Sequence, residues 1–73
     1  MNLFFSPHAS LRMAQRRVLV WQVRATVRRP DHRRQGDRPG RWVLLRTFGG
    51  RVLRVVVVPV GPSGHVVVTV LWE

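Results

Sequence analysis

The chain is 73 residues long and carries a formal net charge of +10, from thirteen basic side chains, all of them arginine, against three acids. A chain of this length builds one small core, burying roughly 60% of the surface its unfolded form exposes, which leaves a single domain over 1–73 and a thin stability margin. The absence of cysteine excludes disulfides, thiolate chemistry and sulfur-ligated zinc, and the longest apolar run, Val55 to Val58 before Pro59, is far short of the ~20 residues of a spanning helix.

Leu3-Phe4-Phe5 opens the chain as a short apolar segment, an edge strand or a hydrophobic anchor, without the basic start and long apolar stretch of a signal peptide. A cytoplasmic location is the expectation. Ser6-Pro7 announces a helix: serine caps with its side-chain oxygen, and proline fits the first helical position, where its missing N–H has no partner to lose. The helix is expected from Pro7 to Arg16 or Arg17, with Ala9 and Met13 on one face and His8, Arg12 and Arg16 on another line at i, i+4, i+8. From Val18 to Arg29 the β-branched content favours a strand, but Val20, Val23 and Val27 keep helical spacing. A second helix ended by Pro30 is the preferred reading, with Arg24 and Arg28 extending a basic outer face. The helical part is thus 6–29.

Residues 30–40 hold no apolar side chain beyond two prolines and read as a mobile basic loop, with Arg33 and Arg34 among its cations. A β-meander over 41–72 follows: Arg41 to Phe48, Gly49-Gly50, Arg51 to Pro59, a turn at Gly61-Pro62-Ser63-Gly64, and His65 to Trp72. Two glycines between β-rich runs suit a tight hairpin that needs positive φ. The valine-rich middle run reads as a central strand covered on both faces. The hairpin register pairs Leu45 with Arg54 on one face and Arg46 with Leu53 on the other. The fold class is therefore α+β: one or two N-terminal helices packed on a three- to four-stranded antiparallel sheet.

A large positive charge on so small a body attracts polyanions and repels its own copies, and arginine forks to phosphate and stacks on bases as lysine does not. RNA is the expected partner; an acidic protein is the alternative. The acids bound the chemistry. Asp31 and Asp37 lie in the loop and Glu73 is the last residue, so no carboxylate cluster is available for the metals of a two-metal nuclease, and neither metal nor cofactor is expected. What remains is metal-free transesterification, in which a 2′-hydroxyl attacks its own phosphate with the help of a base and fixed cations. Histidine, whose ordinary pKa of about 6.5 suits proton transfer near neutrality, and arginine suffice for it. With neither tyrosine nor lysine present, His8, His32 and His65 are the conventional candidates for the base. His8 is preferred, because helical spacing sets it beside Arg12 and Arg16. Arg24, Arg28, Arg33, Arg34, Arg46 and Arg54 are the candidate RNA-contacting cations, with snorkelling at the sheet margin the plainer role of the last two. Trp21, Trp42 and Trp72 suit base stacking or, more commonly in a small domain, the core.

The run Ser6-Pro7-His8-Ala9, Arg12-Met13 and Arg16, then a short apolar helix, a proline and three Val-rich strands, resembles domain-of-unknown-function family 4258, small bacterial proteins with an S-x-H-A-x-x-R-M-x-x-R signature. Where that family usually has glycine and then a Ser or Thr cap, this chain has Arg17, Val18 and Leu19. The layout is similar to that of the BrnT and RelE-like toxins, which cut messenger RNA. The resemblance implies a toxin-like, metal-independent endoribonuclease of a toxin-antitoxin pair, with RNA on the ribosome as substrate and an acidic antitoxin as partner. It also adds Thr69, a position where the family has threonine, as a residue that orients a phosphate or a water. Two other readings stay open: a non-catalytic RNA- or ribosome-binding protein, and a basic subunit of an acidic partner.

Overall fold

Ser6 separates the first strand, β1 (Asn2–Phe5), from the first helix, α1 (Pro7–Arg16), in the computed structural model, which describes Met1–Glu73. Its Oγ accepts the Ala9 N–H at 3.0 Å and donates to the Val68 carbonyl at 3.1 Å, so one hydroxyl caps the helix and ties it to the sheet. Ala9 and Met13 are buried, as their spacing predicts. The helix stops at Arg17, which adopts the left-handed conformation at φ 54°. The N–H groups of Arg17 and Val18 both close onto the Met13 carbonyl.

The second helix, α2 (Val20–Arg28), forms over the β-branched segment. It buries Val23 and Thr26, and the Thr26 hydroxyl donates to the Gln22 carbonyl at 2.8 Å, which satisfies its only buried polar group. At its start the Gln22 side chain accepts the Leu19 N–H at 2.9 Å. Leu19 has no side-chain oxygen to return the favour, so only half of a capping pair is made.

The sheet is larger than the sequence indicates. It has five strands in the order β1-β5-β4-β3-β2, adding β2 (His32–Gln35), β3 (Trp42–Phe48), β4 (Arg51–Val60) and β5 (Gly64–Trp72). Two expectations are corrected. The sheet is mixed, not purely antiparallel, because β1 runs parallel to β5. Residues 30–40 are not all loop: His32–Gln35 pair antiparallel with Trp42–Leu45, an edge strand with no apolar side chain of its own. The expected hairpin register holds, with Leu45 opposite Arg54 and Arg46 opposite Leu53. Gly49 and Gly50 supply the positive φ of its turn, at 55° and 86°.

Both helices lie on one face of the sheet. Leu44, Leu53, Val55, Val57, Val67 and Val70 form a single core with Ala9, Met13, Val18 and Val23 from the helical half. A bulge between Val56 and Val57 keeps Val67 and Val70 on that face, although they are three residues apart. The central strand β4 is therefore covered on one face only, not on both as expected, which is a third correction. Its alternate residues Val52, Arg54, Val56 and Val58 point to the open side and stay partly exposed.

Candidate nucleic-acid interface

The C-terminal end of α2 and the strands beneath it enclose a groove of about 200 Å³. Four of the elements around it each contribute one chemically active side chain: Arg28 from the last turn of α2, Arg33 from β2, Trp42 from β3 and His65 from β5. Arg33 and Trp42 are both turned toward the helix side by the ladder, and the Arg33 guanidinium lies 4.4 Å from the Trp42 ring centroid. That stacking holds the cation flat against the indole and leaves its N–H edges free. His65 pairs with Pro59 of β4, and its Nδ1 is buried with no protein hydrogen-bond partner. Pro30 and Pro59 add rigid apolar surface to its lining.

No carboxylate lines the groove. Asp31 is occupied with β3, where its Oδ2 accepts the Thr47 N–H at 2.8 Å, and Glu73 pairs with Arg54. Positive charge is continuous outside it: Arg28 also borders a depression with Arg24, and another with Arg29 and Arg46. The groove is smaller than the ~300–1,000 Å³ of small-molecule pockets. It suits one phosphate or one base of a longer polymer.

The structure divides the residues singled out from the sequence. His8 is exposed in the first turn of α1. Arg12 donates to Gln15 Oε1 at 2.8 Å, and Arg16 reaches the sheet to donate to the Val70 carbonyl at 2.7 Å. Arg16 is thereby committed to joining α1 to β5, and these three side chains enclose no cavity. Thr69 is opposite Val56 on the open face, across the sheet from α1, so the expected grouping with His8, Arg12 and Arg16 is not formed. Arg28 and Arg33 meet at the groove, with Arg24 beside it. Arg46 donates to the Arg29 carbonyl at 2.8 Å and packs over Phe48, which makes it a tie between α2 and β3. Arg34 and Arg54 lie on the open face around a separate basin.

The tryptophans divide likewise. Trp72 donates to the Arg16 carbonyl at 3.0 Å and stands edge-on to Phe48, which in turn meets Trp21 edge-on. Those two rings belong to a packing cluster, and Trp42 alone faces the basic groove. His65 had no local signal beyond its side-chain type; only its pairing with Pro59 and the arrival of α2 above it set it apart.

Nowhere do three or more His, Cys, Asp or Glu side chains gather in a group able to hold a metal ion. No helix is long and apolar enough to cross a membrane. The chain belongs to the family described as domain of unknown function DUF4258. The family model matches residues 5–72, from the end of β1 to the last residue of β5. No curated protein and no solved structure matches the chain.

Proposed function

We propose that this DUF4258 protein is an RNA-directed basic protein that seats one phosphate of the strand in the groove of Arg28, Arg33, Trp42 and His65, and that it cleaves the strand there without a metal. The observation that carries the reading is a buried, unpartnered imidazole nitrogen beside two arginines, in a groove free of carboxylates. The step balances with these residues and one water. His65 takes the proton of the 2′-hydroxyl, the 2′-oxygen bonds to phosphorus, the bond from phosphorus to the 5′-oxygen breaks, water protonates the leaving oxygen, and the hydroxide so formed takes the proton back from His65. Arg28 and Arg33 hold the non-bridging oxygens as charge develops on them.

Binding and cleavage separate in the test. Affinity for a short single-stranded RNA, followed by fluorescence anisotropy across a salt series, is expected to fall with a log–log slope of about −0.7 per phosphate contacted. Replacing Arg28 and Arg33 together by alanine is expected to weaken binding about tenfold and to make that slope shallower. His65→Asn is expected to keep the affinity within about twofold of wild type and to abolish the new RNA ends that appear on brief induction. Salt-insensitive binding overturns the RNA reading, and RNA ends that persist in His65→Asn overturn the cleavage step.

A further inference from the structure

The side of the sheet away from the helices is apolar at its centre and basic along one margin. Val43 and Leu45 of β3, Val52, Val56 and Val58 of β4, and Val66 and Leu71 of β5 share this face by register and alternation. Phe4 of β1, paired with Val66, adds a ring that is 54% exposed. Toward β2 the face dips into a basin of about 640 Å³ bordered by Arg34, Arg41 and Arg54 and by one carboxylate, Asp37. Arg54 rises from the middle of the central strand, is paired with Glu73 at one end, and buries an Nε that has no acceptor.

We infer that this open face is the docking surface for an acidic, amphipathic segment of a partner protein. Its valine and leucine surface gains from apolar cover. The three arginines outnumber the two carboxylates beside them, Asp37 in the basin and Glu73 on Arg54, so the margin keeps a net positive charge for the carboxylates of a partner. A second copy is the wrong occupant, because it would bring another +10 body against the first and set like-charged margins together. Single-stranded RNA fits poorly as well: aliphatic side chains give bases no stacking platform, and the ring of Phe4 lies at the far edge from the basin. The surface lies across the sheet from the RNA groove, so the two readings stand or fall separately.

The test uses the isotope-labelled protein and two synthetic peptides with the same glutamates, one interleaved with leucine and the other with serine at those positions. The leucine peptide is expected to bind about tenfold more tightly and to shift the amide signals of Val43, Val56, Thr69 and Leu71. Arg34→Glu with Arg41→Glu, both on the edge strand and its loop, is expected to remove about tenfold of that affinity. His65→Asn and the Arg28/Arg33 double variant are expected to leave it unchanged. Should the charge-reversed protein not fold, the shift map on the wild-type chain decides. Equal binding of the two peptides, shifts confined to the α2 groove, a single-stranded RNA that shifts the open face, or self-association that protects it would each overturn the inference.

Discussion

The two faces of one sheet have opposite surroundings although their strands are built from the same residue types. On the helix side Leu53, Val55, Val57, Val67 and Val70 are wholly or almost wholly buried, and the polar groups that reach in are bonded or line a single groove. On the open side Val52, Val56, Val58 and Val66 keep part of their surface in water, and Arg54 stands among them. A valine-rich strand therefore does not reveal how many of its faces are covered. The helices decide that, and here they suffice for one side of the sheet. The uncovered side leaves valine and leucine surface partly in contact with water.

The largest expected effect tests that asymmetry directly. Leu53→Ala removes a fully buried side chain and is expected to cost about 2–5 kcal/mol, enough to unfold much of so small a domain. Val56→Ala, three residues along the same strand but on the open face, is expected to cost less than about 1 kcal/mol. Urea denaturation followed by tryptophan fluorescence separates them, and similar losses would mean that both faces are covered in solution.

Smaller effects probe how the helical cover is held in place. Arg17 is the one non-glycine residue at positive φ, a conformation that costs an L-residue roughly 1–2 kcal/mol. Arg17→Gly is expected to stabilise the fold by about 1 kcal/mol after the extra backbone freedom of glycine in the unfolded chain is counted, read as a raised urea midpoint. Leu19→Ser gives α2 the side-chain acceptor it lacks beside the Gln22–Leu19 bond. It is expected to add about 0.5–1 kcal/mol; no gain in thermal midpoint would show that the start of α2 is fastened by packing instead.

Much of the fold was legible in the sequence because local chemistry was unambiguous there. Ser6-Pro7 marked the helix start, Gly49-Gly50 marked the hairpin, and the spacing of Ala9 and Met13 marked a buried stripe. Strand β2 was illegible for a physical reason: His32-Arg33-Arg34-Gln35 has no apolar alternation, and its extended form comes from hydrogen bonds to β3. The parallel pairing of β1 was equally hidden, since its partner β5 lies sixty-two positions away at Asn2 and Gly64. The candidate site was half legible. Arg28 and Arg33 stood out by charge, whereas helical spacing favoured His8 over His65. Spacing along one helix cannot register that Arg16 is drawn away to the Val70 carbonyl.

Composition and pattern by themselves determined a small, cysteine-free, strongly cationic α+β domain and the hairpin register within it, because charge, capping and turn geometry act between near neighbours. Only the tertiary structure decided which sheet face the helices cover, that Thr69 and Arg54 lie on the other one, and that His65 is the histidine brought beside Arg28, Arg33 and Trp42. Those placements depend on strand order and on the crossing from α2 into β2, which join residues distant in the chain and leave no local trace in its periodicity.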